Sequence, residues 1–493
     1  MNDFYTNVQV YGSTLLYRGV ENGRRIERRV KYQPTLFVPS NTKTKYKTLD
    51  GRYVEPIMPG SIRDCREFYD KYANVTGFEI FGNMDFSYQY IGDLHPTQVE
   101  YNPDSIVVAK IDIETTCEHG FPDVENPREQ INAITVYANG KYYCFGLGEF
   151  SIPGCECFEY EYEEDLLNSF LDLWESIRPD IITGWNTRFF DIPYLIRRIE
   201  KVLDEDAAKR LSPWKVLRQR TINKMNRDHL TYDIFGISSL DYLELYRTFT
   251  YINQESYRLD HIANVELGEK KLSYEEYDSM HTFYNQNFQK FMEYNQRDVV
   301  LIDKLEEKLK LLELALALAY SAKVNYNDIF GQVRMWDQII YHYLREHDIV
   351  IPMKKTNRKD DQYAGAYVKE PIVGKHDWVV SYDLNSLYPM LICQYNISPE
   401  TMNKNSKLRG MLSLNKILNH DPKTMKELEG HSSSKYSVTA NGVLFSKEKQ
   451  GFMPSLMEKM YEERKMYKKK MIQSQKDLEE IENELRKRGI DPT

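Results

Sequence analysis

The sequence is short of positive charge, thinly supplied with cysteine and free of long hydrophobic runs. Asp and Glu outnumber Lys and Arg by 74 to 65, a net charge of -9, so no global basic field draws the chain to nucleic acid and any such contact has to be local. Six cysteines in 493 residues, Cys65, Cys117, Cys144, Cys155, Cys157 and Cys393, form no Cys-x-x-Cys pair and no small-domain framework. That usage points to a reducing compartment. The longest apolar run, Leu311 to Ala319, is interrupted by Glu313 and is too short to span a bilayer, and no cleavable signal follows Met1. A cytosolic protein without membrane contact is expected. Hydrophobic residues make up 41% of the chain and aromatics 13%, with 38 Tyr, which predicts packed domains and argues against disorder. At 493 residues the chain exceeds one ordinary core, so more than one domain is expected.

The densest chemistry lies in Ile106-Val-Val-Ala-Lys-Ile-Asp112-Ile-Glu114-Thr-Thr116, which reads as a buried strand. Side chains at i and i+2 share a strand face, so Asp112 and Glu114 leave the sheet together. Two carboxylates so close repel, and burying either alone costs several kcal/mol. A counter-charge is required, most simply a divalent cation. Downstream, Ile131–Tyr137 and Lys141–Phe145 flank Asn139-Gly140, a strong hairpin signal. Leu166, Leu167, Phe170, Leu171, Trp174 and Ile177 then form one helical stripe, closed by Pro179. A strand follows from Ile181 and runs toward Asn186, and Asp191 sits where it hands over to a helix. Asp191 is therefore a third candidate ligand. Tyr294 and Asp298 are four apart on a long helix expected to run from Phe291 through Leu316. They share a face, where an acid can bind metal and a phenol can position water.

Asp112-Ile-Glu114, then Asn186-x4-Asp191, then Tyr294-x3-Asp298 resemble, in order, the three exonuclease motifs of family B DNA polymerases, in particular those of T-even-type bacteriophages. The resemblance implies a 3′-to-5′ exonuclease domain with an RNase H-like sheet flanked by helices. By the same resemblance Asp112, Glu114, Asp191 and Asp298 hold two Mg2+ or Mn2+ ions, and Tyr294 orients the attacking water. The chemistry stands apart from the name: two cations about 3.5 to 4 Å apart activate a water and stabilise the leaving 3′ oxygen. Thr221–Leu230 resembles the hairpin that helps to partition primer ends. In the segment Leu240–Tyr246, a core stretch, Asp241 is expected to be exposed or capping.

A second constellation follows. Tyr363-Ala-Gly365-Ala-Tyr resembles the family motif that links exonuclease and polymerase domains and touches template DNA, with Gly365 permitting close backbone approach. Trp378-Val-Val-Ser-Tyr-Asp383 reads as a buried strand ending in an acid, and Asp383-Leu-Asn-Ser-Leu-Tyr388-Pro resembles the first polymerase metal motif. The resemblance implies that Asp383 binds both catalytic metals with help from the Leu384 carbonyl. It also places Leu384, Ser386, Leu387 and Tyr388 at the incoming dNTP, with Tyr388 excluding a 2′-hydroxyl. Pro454–Arg488 is one long helical pattern on which Arg464 and Lys468 share a face. They resemble the fingers residues that grip a triphosphate, a task suited to guanidinium and ammonium groups.

The departure from the family is equally plain. The Lys-x3-Asn-Ser-x-Tyr-Gly and Asp-Thr-Asp motifs are absent, and without the second acid Asp383 cannot build a polymerase metal site. Either a second chain carries the remaining palm, fingers and thumb or the sequence is a truncated piece of the polymerase, and the favoured expectation is a naturally split phage polymerase. The expected fold is α/β and α+β multidomain: an N-terminal domain over 1–105 completed by 311–353, an exonuclease domain over 106–310, a partial palm over 354–450 and the first part of the fingers over 451–493. Primer-template and single-stranded DNA, dNTPs, the second chain, the chain's own mRNA and a sliding clamp reached through the other chain are the implied partners. The implied location is the cytoplasm of an infected bacterial host. Two further readings are a nucleic-acid-binding translational regulator and a stand-alone 3′-to-5′ exonuclease, the latter leaving the Asp383 motif without a use.

Overall fold

The strand that carries Asp112 runs from Val108 to Thr115 and lies inside a six-stranded mixed sheet. The computed structural model describes residues 3–224, 227–273, 276–277, 279–354, 368–403, 408, 414–432 and 435–491. The sheet order is Cys155–Tyr160, Lys141–Leu147, Ile131–Ala138, Val108–Thr115, Ile181–Thr183 and Ser238–Ser239. The central strand pairs antiparallel with Ile131–Ala138 and parallel with Ile181–Thr183. Asn139 and Gly140 both adopt positive φ, +52° and +78°, the turn geometry that matches the twist of two hairpin strands. Alternation along the central strand turns one set of its residues to a core and the acids to the opposite side. Ala109, Ile111 and Ile113 pack with the helices Glu163–Ile177 and Asp191–Val202, and the expected stripe from Leu166 to Ile177 is buried there in full. Ala133 and Cys144, on neighbouring strands, pack on the other side against Phe291, Met292 and Tyr294 of the helix Phe288–Leu309.

The N-terminal residues form two strands, Phe4–Tyr11 and Thr14–Glu21, which pair antiparallel about a turn at Gly12 (φ +61°). One expectation about an element boundary is corrected. The helix expected to run through Leu316 breaks at Lys310 (φ +54°), and a second helix spans Leu311–Ala322. Glu306 compensates for the break by accepting from Leu312 N (3.0 Å), one of the amides that a new helix start leaves open.

These elements belong to one compact unit, residues 1–38 and 56–342. Within it the N-terminal strands are tied to the sheet by a buried ionic knot. Asp180, which leads into the Ile181 strand, accepts from Thr6 Oγ1 (3.0 Å), Val107 N (3.0 Å) and Arg25 (2.9 Å), and Arg18 lies 3.4 Å away. Arg18 also donates to the carbonyls of Pro179 (2.8 Å) and Gly236 (2.6 Å). From the other end, Tyr5 donates to the Val324 carbonyl (2.8 Å) and Asn325 bonds both backbone groups of Val8.

The second unit comprises residues 39–55 and 343–493. It contains the strands Met402–Asn403, Tyr436–Val438 and Leu444–Ser446 in one antiparallel sheet, the helix Leu387–Tyr395, and a 36-residue helix Phe452–Lys487. Gly489 (φ +72°) follows that helix in the left-handed conformation common just past a helix end. Here a second correction applies. Trp378 to Asp383 forms no strand and is not buried: Trp378 is 97% exposed and Tyr382 92%. A strand needs a neighbour for its backbone groups, and among the described residues none runs beside it.

Candidate active site

Four elements bring the acids together at the C-terminal end of the central strand. Asp112 and Glu114 point from the same face of Val108–Thr115, opposite to the Ile111 and Ile113 face, as their spacing predicts. A register shift between Glu114 and Thr115 marks a bulge beside the site. The Ile181–Thr183 strand stops opposite Lys110. Beyond its end Ile113 N donates to Asp191 Oδ1 (3.2 Å) and fixes that side chain at the first turn of its helix. Gly184 makes the approach possible, since a β-carbon there would collide with the Ile111 carbonyl. The Phe288–Leu309 helix supplies Tyr294 and Asp298, both buried. Ligand oxygens of Asp112, Glu114 and Asp298 all lie within 4.8 Å of one another.

Such crowding has an electrostatic signature. Burial first, then Asp298, Asp191 and Glu114, push Asp112 well above the ordinary carboxylate range. Burial and Asp298 raise Glu114 to about 8, and burial raises Asp191 to about 7 against the lowering effect of its Ile113 hydrogen bond. Asp298 is raised by burial although Lys271 pulls it down. Lys271 forms a close ion pair with Asp298 and reaches the Tyr294 hydroxyl (3.4 Å). Burial alone would lower its pKa, but Asp298, Tyr294 and Asp112 outweigh that and raise it. One ammonium against four carboxylates leaves an excess of negative charge, and Asp298 Oδ1 is buried without a hydrogen-bond partner. An all-oxygen set with an unsatisfied buried carboxylate oxygen fits a hard divalent cation such as Mg2+ or Mn2+.

Two residues outside the acid motifs shape the centre, Lys271, which the sequence did not single out, and Asp241. Lys271 follows Lys270 after a helix that ends at Gly268, and no motif separates the pair; Lys270 is exposed, whereas Lys271 is drawn inward by its own amide donating to Asp260 (2.9 Å). Asp241 caps its helix as expected but is buried rather than exposed. It accepts from Asn186 N (3.2 Å) and Arg188 N (3.0 Å), which holds the loop leading to Asp191. Asn186 and Asp241 also line an open cavity of about 890 Å³, together with Phe121, Phe189, His229 and Arg247. Phe121 is 88% exposed, and Phe189 and His229 sit with ring centres 5.1 Å apart. His229 lies on the Arg227–Ile234 strand, which pairs with Leu217–Lys224 in the expected hairpin.

The polymerase candidates are arranged differently. Asp383, Leu384 and Tyr388 are exposed, Tyr388 by 74%. Arg464 reaches Ser386 Oγ (3.2 Å), and Asn385 donates to Tyr461 (3.1 Å), so the Asp383 motif and the long helix do meet. Leu387 is partly exposed at the helix start and Lys468 faces solvent. Tyr363 and Gly365 lie outside the described residues.

A six-stranded mixed sheet with four acids gathered at the end of its central strand defines a carboxylate-centred α/β domain suited to divalent cations. Residues 58–262 match the model for "DNA polymerase family B, exonuclease domain", and residues 330–486 that for "DNA polymerase family B". Among similar proteins, the DNA-directed DNA polymerase of Escherichia phage RB69 is 33% identical over 98% of this chain and 56% of its own length. That of Enterobacteria phage T4 is 31% identical over 98% of this chain and 55% of its own. The DNA polymerase delta catalytic subunit of Schizosaccharomyces pombe is 26% identical over 73% of this chain. The chain belongs to DNA polymerase family B. It spans little more than half the length of the phage relatives it matches.

Proposed function

We propose that the chain carries a 3′-to-5′ proofreading exonuclease and one half of a DNA polymerase site. The observation that carries the first part is the convergence of the Asp112, Glu114 and Asp298 oxygens within 4.8 Å, with Asp191 held beside them by Ile113. Within the six-stranded sheet, Lys141–Leu147, Ile131–Ala138 and Val108–Thr115 pair antiparallel and Ile181–Thr183 and Ser238–Ser239 add in parallel beyond the Asp112 strand, an order that supports the RNase H-like expectation. Asp112, Glu114, Asp191 and Asp298 would hold two Mg2+ or Mn2+ ions. When bound, the ions supply a lowered water pKa and charge neutralisation on the phosphodiester. Tyr294 orients the water through its hydroxyl, and Lys271 keeps that hydroxyl and Asp298 in place. The cavity beside Asn186 suits an unpaired 3′ end. Its exposed Phe121 ring can stack on a base, and Arg227 and Arg247 offer charge to phosphates.

The chain with Mg2+ should degrade 5′-labelled single-stranded DNA from its 3′ end, and the Asp112→Ala, Glu114→Ala double variant should not. Full activity in that variant would overturn the assignment.

For the polymerase half, Asp383 would bind both metals with the Leu384 carbonyl, Ser386, Leu387 and Tyr388 would line the dNTP site, and Arg464 and Lys468 would grip the triphosphate. The Arg464–Ser386 contact supports this. The acids of the Asp-Thr-Asp motif must come from a further polypeptide segment, and the exposed, strand-like Trp378–Asp383 segment is where it would add. Primer extension should be absent with these 493 residues alone and restored by a second chain bearing the missing motifs. In that assembly Tyr388→Ala should admit ribonucleotides. Extension by the single chain would refute this account.

A further inference from the structure

Asn295 follows Tyr294 on the Phe288–Leu309 helix, is wholly buried, and touches the metal-type centre without belonging to it. Its Nδ2 donates to Asp112 Oδ2 (2.7 Å), and its Oδ1 accepts from Thr135 Oγ1 (2.6 Å). Thr135 is wholly buried too, and it stands directly opposite Asp112 in the strand register. The three side chains therefore close a small ring. Asp112 and Thr135 are cross-strand neighbours, and Asn295 bridges them from the helix above. The ring fixes the amide. A flipped Asn295 would set its carbonyl oxygen against the Asp112 carboxylate with no proton between them, and the Thr135 proton would be left with the weak Cys144 sulfur acceptor alone. Cys144, the next residue across the sheet, lies with its sulfur 3.6 Å from the Thr135 hydroxyl and fills the remaining side.

We propose that Asn295 is a positioning residue for Asp112, locked in orientation by Thr135, which commits Asp112 Oδ2 to the amide and leaves Oδ1 to ligate a divalent cation. The inference rests on reading the carboxylate cluster as a cation centre. Its logic is that of any ligand whose far side is hydrogen-bonded: the partner fixes the orientation of the ligating atom, and losing it typically costs about 10- to 100-fold in metal affinity or activity. A carboxylate released from Asn295 can turn about its own axis in a cluster where three other carboxylates repel it, so the cost falls on cation binding rather than on the grip on DNA.

The test measures Mn2+ binding to the 493-residue chain by the electron paramagnetic resonance of free Mn2+, alongside kcat and KM on single-stranded DNA. Thr135→Val keeps the shape and removes the proton. It should weaken Mn2+ binding about tenfold and lower kcat with KM for DNA unchanged, while Thr135→Ser stays within about threefold of the parent. Asn295→Ala should match or exceed the Val variant, and it carries the same readout if Thr135→Val fails to fold. Parental Mn2+ affinity in Asn295→Ala or in a folded Thr135→Val would overturn the inference, as would equal losses in the Ser and Val variants, which would assign the position to packing. If instead Asp112→Ala binds Mn2+ as tightly as the parent, it is the reading of the cluster itself that fails.

Discussion

The two acid motifs of this chain have similar sequence texture and opposite structural states. Around Asp112 an apolar strand is sandwiched between two cores, and its carboxylate is surrounded by three others, an amide and a nearby ammonium. Around Asp383 an equally strand-like stretch lies in the open, with Val379 76% and Val380 69% exposed. The difference lies not in the residues but in their neighbours. A β-prone segment becomes a strand only where another backbone satisfies its donors and acceptors. The first motif finds that backbone on both sides within its own unit, and the second finds it nowhere among the described residues.

The sharpest test of the contrast is kinetic. If the proposed two-cation centre is right, Asp191→Ala should lower exonuclease activity by several orders of magnitude, about 10³ or more, because removing one carboxylate upsets its charge balance. Asp383→Ala should leave that activity at the parental level. A loss in the Asp383 variant would mean that the two sites are not independent. Amide hydrogen exchange reads the same contrast in the backbone. Residues 109–113 should exchange roughly three orders of magnitude more slowly than 378–383, because opening the sheet costs a large part of the unit's stability. Comparable rates would erase the distinction.

Smaller effects sharpen the picture inside the ordered site. Asp298→Ala should be severe, whereas Tyr294→Phe should cost on the order of tenfold to a hundredfold, since a phenol that positions water contributes less than a group that holds a cation. Neutral outcomes for both would make that helix purely structural. Weakest of all is a carboxylate held ionised beside the crowded ones. Burial works against Glu129, yet the Thr116 hydroxyl and the amides of Glu118 and His119 bring it down to about 2 from its ordinary 4.5. A depressed pKa contributes stability above the unfolded value that is lost as pH falls through the folded one. The Tm deficit of Glu129→Gln should therefore be full at pH 7, on the order of 2 kcal/mol in stability, and should shrink between about pH 4.5 and 2. A deficit independent of pH would mean that packing, not charge, ties the loop after the central strand.

Much of the ordered region was legible because its signals are local and periodic. The i, i+2 acids, the Asn139-Gly140 turn and the Leu166–Ile177 stripe each follow from backbone geometry that the sequence states directly. What escaped notice depends on partners distant in sequence. Lys271 reads like Lys270 until the fold shows which of the two is drawn toward Asp298. Asn295 reads as the polar filler of a motif until Asp112 and Thr135 close around it. The break at Lys310 was hidden because a lysine in the left-handed region costs about 1–2 kcal/mol, and only the Glu306 carboxylate, capping the next helix, offsets it. Asp241 was read as a cap, and its burial became visible only with the Asn186–Asp191 loop folded over it.

Asp180 gives the first thirty residues a meaning that a domain map conceals. Its carboxylate is shared by Thr6 and Arg25 of the N-terminal strands and by Val107, one residue before the catalytic strand begins. A fragment cut at residue 106 would keep the acids but leave this carboxylate with the Val107 amide and without Thr6, Arg18 or Arg25, and the carbonyls of Pro179 and Gly236 would lose Arg18 as well. The strand that delivers Asp191 starts at the next residue, so the injury would travel straight to the active centre. The acid-bearing domain is in that sense not a detachable module: the arrangement of its acids is set partly by the N-terminal hairpin.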